Sequence, residues 1–345
     1  MANAMGIFTA VIYSAIFLFG TLGNGLVIYV TGCRMKRTVN SVWFLNLALA
    51  DFLFTAFLLF SIISITQDHK WQFGPFMCKL NTFVSVVSMF ASIFFLTAIS
   101  LDRCLSVCVV VWAHNKRTVC KTYLVTAVIW VAAVICSAPY ATFRELMPLP
   151  NKTYCSYPRD APIWPLDIFR FVMGFIIPFL VITVCYVAIG VRAKRLQRTR
   201  KRRSHRVILS VIFAFFICWL PFHVMILIQH NYGHHEKVRQ NIVTVGPLTV
   251  CLAFLNSCLN PILYVFMCEE FQKKLKQSIC FVLESALAED HLSFMSSRSL
   301  SSHMSRVSRK SESSASPERK DTGTYLNFTE SKVTCIEEGQ ILSTQ

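Results

Sequence analysis

The apolar positions of the chain fall into seven long stretches, each separated from the next by a short polar segment. A helix needs ~20 predominantly apolar residues to cross ~30 Å of hydrocarbon, and each stretch is long enough to do so. Helices are required because an unpaired backbone group is costly in lipid. The pattern therefore predicts an all-α membrane protein, a seven-transmembrane helix bundle. The predicted spans are residues 7–31, 40–66, 76–109, 119–139, 166–191, 205–229 and 241–266.

The same pattern divides the rest of the chain. Residues 1–6 are predicted to form an extracellular N-terminus. They contain no basic segment and no small-residue cleavage site, so we expect the first span to act as the targeting signal. After the bundle (7–266), residues 267–287 have the pattern of a short amphipathic helix at the membrane surface, an eighth helix. Residues 288–345 are polar and are predicted to form a disordered cytoplasmic tail.

Two features of this C-terminal part suggest covalent modification. Cys280 lies in the amphipathic segment, where it is either a palmitoylation site or an inert free thiol. Residues 293–316 are rich in serine, with interspersed arginine and lysine. Phosphorylation by receptor kinases would replace positive with negative charge there and recruit arrestin.

Composition agrees with a membrane protein and distinguishes its two sides. Charged residues make up 15% of the chain, whereas a soluble domain has roughly a quarter. The 34 Lys and Arg exceed the 18 Asp and Glu, and they are concentrated in alternate connecting segments; residues 192–206 contain nine bases and no acid. The positive-inside rule places these segments in the cytoplasm and the N-terminus outside. A nucleic-acid binder would spread its bases over one soluble face, so no nucleic-acid partner is expected.

Fourteen cysteines suggest a disulfide scaffold until their positions are considered. Only Cys78, at the outer end of span 3, and Cys155, in the loop 140–165, fall in segments predicted to be extracellular. The others lie in spans or on the cytoplasmic side, where thiols stay reduced. We therefore expect one disulfide, Cys78–Cys155, that holds this loop over the bundle. The loop also contains an N-glycosylation sequon, NKT, at Asn151.

The sequence lacks features that are typical of other classes of membrane protein. No internal repeat relates the two halves, as it does in many transporters, and no filter motif such as TVGYG is present. We find no constellation of catalytic residues in the sequence, and we do not expect an enzyme.

Asp51 lies in the middle of span 2, in the sequence NLALADFLF, where an ionisable side chain is costly. Two interpretations stay open: a hydrogen bond between helices, or a site for a small hard cation such as Na⁺, or for a proton. Ser92 in span 3 and Asn256 and Asn260 in span 7 would supply the other oxygen atoms of this sodium pocket. Hard cations prefer such oxygen ligands. No other metal or cofactor is expected.

Arg170, in the outer half of span 5, is the strongest candidate for ligand chemistry. It either reaches outward to the membrane surface or faces the interior of the bundle and binds an anion. A guanidinium pairs with a carboxylate through two parallel hydrogen bonds, which are stronger where water is scarce. Trp219 and His223 in span 6 are candidates to line the same site, although core packing is an alternative for His223. A ligand with both an acid and apolar groups is therefore expected.

Prolines mark candidate hinges because each removes an intrahelical hydrogen bond. In CWLPFH, Trp219 comes just before Pro221 of span 6. In NPILY, Asn260 and Pro261 come shortly before Tyr264 of span 7. A hinge beside a bulky aromatic residue allows a helix two positions, which a switch requires. The span prolines are Pro139, Pro178, Pro221, Pro247 and Pro261.

Taken in order, these residues resemble rhodopsin-like (class A) G-protein-coupled receptors over residues 7–281. The motifs that carry the resemblance are Gly23-Asn24, LALAD ending at Asp51, WQFG at 71–74, Cys78, Asp102-Arg103, Trp130, Pro178 with Tyr186, CWLP at 218–221 and NSCLNPILY at 256–264. The sequences MKRTVNSVWFLNLALADFLF, DRC, VWAHNKRT and FFICWLPFH are similar to the leukocyte chemoattractant group, which includes the chemerin, formyl-peptide and anaphylatoxin receptors.

The resemblance implies a plasma-membrane receptor for a peptide or lipid acid, active in chemotaxis and inflammation. It implies coupling to an inhibitory heterotrimeric G protein, and an arginine at the position of Arg170 that receives a ligand's carboxylate. On activation, Arg103 would leave Asp102 and meet Tyr186 and Tyr264. An arrestin-biased or scavenger receptor without G-protein activation is the alternative.

Three departures from the group bear on these expectations. The N-terminus before the first span is about six residues, so either the sequence is truncated or the ligand is small. Val110 stands where relatives have proline in the second cytoplasmic loop. The start of span 6, 201–206, has no acid, so we expect Arg103 to rest mainly on Asp102.

Overall fold

The computed structural model describes residues 2–150, 152–195, 202–232, 235–267, 272–273 and 275–277. These residues form nine α-helices and one two-stranded sheet. The helices are α1 (Ala2–Tyr29), α2 (Val39–Thr66), α3 (Gly74–Cys108), α4 (Val110–Lys116), α5 (Val119–Thr142), α6 (Ile163–Phe171), α7 (Ile177–Arg195), α8 (Arg202–Tyr232) and α9 (Glu236–Met267). The strands are β1 (Glu145–Leu149) and β2 (Lys152–Ser156).

Seven of the helical segments are long and apolar enough to cross a membrane, which confirms the predicted all-α bundle. A π-helical turn extends α1 through Val30–Arg34, and a second, Val172–Ile176, joins α6 and α7 into one span. Spans 2, 3 and 4 are α2, α3 and α5, and spans 6 and 7 lie within α8 and α9. The spans bury their polar side chains and expose apolar ones such as Phe19, Leu124 and Val184, as lipid contact requires.

Span 3 is the most buried of the seven, and its neighbours are tied together by polar side chains. Asn24 of span 1 donates to the backbone oxygen of Ser257 in span 7 at 2.9 Å. Trp130 Nε1 of span 4 donates to Asn46 Oδ1 of span 2 at 3.0 Å. These two donors find partners on other spans, because lipid offers none.

Local sequence fixes the inner ends of two spans. Thr38 Oγ1 accepts from Ser41 N at 3.1 Å, and Ser41 Oγ accepts from Thr38 N at 2.8 Å, which is a reciprocal cap on α2. Thr118 caps α5 by accepting from Lys121 N. Each cap satisfies backbone donors that a helix start leaves without a partner.

The β1–β2 hairpin covers the outer end of the bundle and is attached at two points. The Cys78–Cys155 disulfide is present, as expected from the sequence, and joins β2 to the start of span 3. Trp71, 5% exposed, donates from its backbone N to Thr153 O at 2.8 Å and accepts from Thr153 Oγ1 at 2.9 Å. Gly74 follows with a φ of 77°, a conformation that favours glycine.

Proline shapes span 5 in a specific way. The π-helical turn Val172–Ile176 comes immediately before Pro178, whose ring would clash with a carbonyl of the preceding turn in a regular helix. Widening that turn avoids the clash, and it brings Gly174 within 3.7 Å of Phe90 and Ile93 of span 3, measured from a Cβ built on the glycine. Pro139, Pro221 and Pro247 are also enclosed in helices. Hinge motion at Pro221 and at Pro261, which α9 encloses, stays a prediction.

Some expectations fall outside the described residues. Asn151, Cys280 and the tail 288–345 are among them, as is most of the predicted amphipathic helix 267–287. Glycosylation, palmitoylation and phosphorylation therefore stay predictions.

Candidate functional site: a cavity with two arginines

A cavity of about 280 Å³ lies between spans 3, 5, 6 and 7, below the hairpin. Arg144, Tyr157 and Arg170 line its outer part, and Trp219 with Phe215 lines the aromatic wall supplied by span 6. Ser92, Asn256 and Ser257 line it as well, so it reaches the residues expected around Asp51. Apolar walls with a few converging polar groups are typical of a site for small ligands.

Arg170 faces this cavity and not the membrane surface. Its guanidinium carbon lies 4.9 Å from the ring centroid of Phe222 and 5.8 Å from that of Tyr140. One terminal nitrogen donates to Asp167, one helical turn earlier. Nε is buried and has no hydrogen-bond partner among the described residues. The geometry favours the cavity-facing interpretation of Arg170, and it adds a carboxylate partner that the sequence did not reveal.

Asp167 also connects two spans. Its Oδ2 lies 3.0 Å from His230 Nε2 at the outer end of α8, while Oδ1 accepts from Arg170. A carboxylate only accepts hydrogen bonds, so Nε2 is the protonated nitrogen of His230 in this pair. The ring of His230 lies 4.6 Å from that of Trp164, centroid to centroid. Asp167 is thereby held from both sides and is only 10% exposed.

Arg144 is a cavity residue that sequence reasoning missed. It lies just after α5, and its guanidinium carbon is 4.4 Å from the ring centroid of Tyr157. Nε is buried without a hydrogen-bond partner, and no ion pair to Arg144 occurs among the described residues. Burial lowers the pKa of the Arg144 guanidinium, and the nearby Tyr157 opposes that shift. Arginine nevertheless stays charged, so Arg144 brings an uncompensated cation to the cavity.

Arg144 is also accessible from a second cavity of about 680 Å³ beside spans 1, 2 and 7. Tyr13 and Val250 line that second cavity, together with Trp71 and Tyr154 beneath the hairpin. Arg144 therefore borders both spaces.

Span 6 supplies an aromatic cluster beside the cavity. Trp219 is 9% exposed, lines the cavity and has no hydrogen-bond partner for Nε1 in the described part of the chain. His223 is 2% exposed and does not line the cavity. It packs against Phe171 and Phe175, with ring centroids 5.3 Å away in both cases. These contacts fit the core-packing interpretation of His223, and its contact with a ligand stays a prediction.

Asp51 is at the centre of the polar cluster that the sequence predicted. Oδ1 accepts from Ser92 Oγ at 3.0 Å, and Oδ2 accepts from Asn260 Nδ2 at 2.6 Å. All three side chains are buried, as is Asn256, which lines the cavity above them. An ionised carboxylate has about four lone-pair sites, and these hydrogen bonds use two. The oxygen set therefore fits a small hard cation. Asp51 can form hydrogen bonds between helices and also bind a cation at the same site.

Near the C-terminal end of span 3, Asp102 has a partner that was not expected. Arg117, which follows α4, donates from Nε to Oδ1 and from Nη2 to Oδ2, both at 2.8 Å. Arg117 Nη2 also donates to Asn40 Oδ1 of span 2 at 2.7 Å. Both oxygens of Asp102 therefore bind Arg117, and the expectation that Arg103 rests mainly on Asp102 stays a prediction. The segment that begins at Val110 is the helix α4, and it positions Arg117.

The remaining residues of the expected switch lie in spans 5 and 7. Tyr186 of span 5 is partly buried and packs against Ile182 in a small apolar cluster. Asn260 and Pro261 are buried in span 7. Tyr264 lies within α9. The movement of Arg103 toward Tyr186 and Tyr264 stays a prediction.

Seven candidate membrane spans around a cavity, with a disulfide-anchored hairpin at one end, are the architecture of a multi-pass membrane protein. The family model described as 7 transmembrane receptor (rhodopsin family) matches residues 23–264. The chain therefore belongs to the rhodopsin family of seven-transmembrane receptors. Proteins of this family bind extracellular ligands and G proteins, and they are not enzymes.

The chain is similar to several chemoattractant receptors. It is 40% identical to chemerin-like receptor 1 of Homo sapiens, over 84% of this chain and 82% of the relative. It is 42% identical to the C3a anaphylatoxin chemotactic receptor of Danio rerio, over 84% and 80%. It is 38% identical to N-formyl peptide receptor 3 of Homo sapiens, over 83% and 86%.

Proposed function

We propose that this receptor responds to a chemoattractant peptide or lipid whose acidic group binds between Arg144 and Arg170. The observation that carries the proposal is that both arginines line one cavity and each keeps a buried Nε without a partner. A buried donor without a partner costs ~1–3 kcal/mol, which a ligand carboxylate recovers on binding. The aromatic wall around Trp219 suits the apolar remainder of such a ligand.

Signalling requires that the ligand prefer the active arrangement of the bundle. A shift from mostly inactive to mostly active needs ~5.5 kcal/mol of preference. One carboxylate pair and several buried apolar groups are enough to supply it. In our proposal span 6 moves at Pro221, the sodium pocket around Asp51 contracts, and Arg103 leaves the Asp102 region. The opened cytoplasmic side then accepts a helix of an inhibitory G protein.

The proposal places the receptor in the plasma membrane with its N-terminus outside. The basic segment 192–206 supports this orientation, since such segments stay in the cytoplasm. Receptor kinases and arrestin would act on the serine-rich part of the tail, 293–316, with membrane lipids around the bundle.

The test is a screen of peptide and lipid acids in cells, with inhibition of cAMP formation and arrestin recruitment measured in parallel. A hit should lose about tenfold in potency in Arg170→Ala, whereas Arg239→Ala should match the wild type at equal surface expression. Arg239 is the matched control because it pairs with Glu236 three residues away but is 67% exposed. Unchanged potency in Arg170→Ala would remove it from the ligand site. Arrestin recruitment without cAMP inhibition would reject the G-protein coupling.

A further inference from the structure

The two cavity arginines differ in their local charge balance. Arg170 has a carboxylate, Asp167, as a direct partner, while Arg144 has no acidic partner among the described residues. Asp167 does not itself line the cavity, and it binds a terminal nitrogen of Arg170 while the buried Nε keeps no partner among the described residues. A carboxylate therefore partly neutralises the charge of Arg170, whereas the charge of Arg144 is not neutralised in this way.

We propose that Asp167 is a built-in counter-ion that weakens the hold of Arg170 on a ligand anion and makes Arg144 the cavity's main source of charge. This inference rests on the proposed function and deepens it, because it names the residue that tunes the anion site. A ligand carboxylate on Arg170 would share the guanidinium with Asp167. Two carboxylates that share a site repel, and such repulsion changes affinity by about tenfold or more.

The surroundings of Asp167 support a tuning role more than a purely structural one. Its side chain is 10% exposed and contacts Arg170 within its own helix and His230 on α8. His230 keeps the Asp167 carboxylate in place when Arg170 turns toward a ligand, because the two contacts use different oxygens.

The first test uses acetate as the probe and needs neither the natural ligand nor a G protein. Purified full-length receptor is melted in rising sodium acetate, exchanged against sodium chloride at constant sodium, with acetamide as the neutral control. In Asp167→Ala the Arg170 guanidinium is no longer shared, so it should bind acetate more tightly, and the half-saturating acetate concentration should fall about tenfold below the wild-type value. At about 100 mM acetate the melting temperature should rise by about 3 °C more than in the wild type.

Two further variants make the result specific. The gain should disappear in Asp167→Ala/Arg170→Gln, which removes the cation that acetate would bind. Glu236→Ala is the matched control, because Glu236 and Arg239 have the same three-residue spacing but are both exposed. It should show no gain, since water screens an exposed pair. Asp167→Asn provides a second variant if Asp167→Ala does not fold, with the same direction of effect.

Each outcome bears on the proposal. Equal acetate responses in the wild type and Asp167→Ala would overturn it, and so would a gain that persists without Arg170 or that acetamide reproduces. A gain in Glu236→Ala would show a general salt effect and would also overturn it. If acetate behaves as expected but no acidic ligand activates the receptor, the counter-ion role stands and the proposed function fails.

Ligand recognition offers the second test once the screen yields an acid. Asp167→Asn should increase the potency of that acid about tenfold and leave its amide unchanged. A purely structural Asp167 would alter acid and amide alike, which would contradict a tuning role.

Discussion

The charged side chains of the outer cavity and those of the deeper polar sites differ in whether their hydrogen-bonding atoms have partners. Arg144 and Arg170 each keep a buried donor without a partner, next to space that a ligand can enter. Asp51 and Asp102 have both carboxylate oxygens occupied by side chains from other parts of the chain. Unused hydrogen-bonding capacity is costly in a buried site. The two arginines with such capacity therefore indicate a site for binding, whereas the hydrogen bonds of the two acids hold separate parts of the chain together.

The largest expected effect comes from removing the open cation. Arg144→Gln should reduce the potency of an acidic agonist by about 100-fold, because the ligand's carboxylate loses its uncompensated partner. The amide of the same ligand should lose much less. Lys79→Gln is the control, since Lys79 is an exposed cation at the same end, bonded to Thr142 O. The measurement is the dose response for cAMP inhibition at matched surface expression. Equal losses for acid and amide would contradict a charge-based role for Arg144.

The Asp51 cluster should give the next largest effect. If Na⁺ binds with Ser92, Asn256 and Asn260, replacing sodium by choline should change agonist affinity about tenfold, as a typical coupling between two sites does. Asp51→Asn removes the charge and should abolish this dependence. Asp160→Asn, at an exposed acid, should retain it. Radioligand competition in the two salts measures the effect, and a sodium dependence that survives Asp51→Asn would leave only the hydrogen bonds between helices for Asp51.

Comparing these sites also shows what the sequence can and cannot predict. Asp51, Ser92 and Asn260 were predictable because polar residues in apolar spans need partners, and the spans bring them to one depth. The disulfide followed from the two cysteines in the outer segments. Arg144 was missed because it lies just past the end of a span, where a cation is ordinary and no periodicity marks its direction.

The cytoplasmic pair shows the same limit. Arg117 is fifteen residues beyond Asp102 and reaches it because α4 folds back beneath span 3. A loop of that length has many conformations, and the adjacent Arg103 was the simpler partner to infer from the sequence. Side-chain pairing across a loop depends on its tertiary path, which hydropathy does not encode.

A substitution of Arg117 should have a smaller effect, and it tests the contact between Arg117 and Asp102. Arg117→Gln frees Asp102 and Asn40 and should raise basal cAMP inhibition by about threefold, the effect of losing less than 1 kcal/mol from the resting state. Asp102→Asn should do the same. The double variant should add little, because both changes break one contact. Lys116→Gln, at the exposed neighbour, should leave basal signalling unchanged; additive effects of Asp102 and Arg117 would show that they act separately.

The smallest expected effect comes from the cap at the start of α2. It tests whether local hydrogen bonds stabilise that end of the bundle as well as the ion pair between Asp102 and Arg117. Ser41→Ala removes one half of the reciprocal cap on α2 and leaves Thr38 N without its 2.8 Å partner. The expected loss is about 1 kcal/mol, or about 3 °C in the melting temperature of the purified receptor. Ser14→Ala is the matched control, since the Ser14 hydroxyl only donates to a carbonyl within its own helix. Ligand potency should not change in either variant, because neither residue lines the cavity. A change in potency with Ser41→Ala would show that this cap is coupled to the ligand cavity through span 2. It would contradict the view that the cap contributes to stability alone.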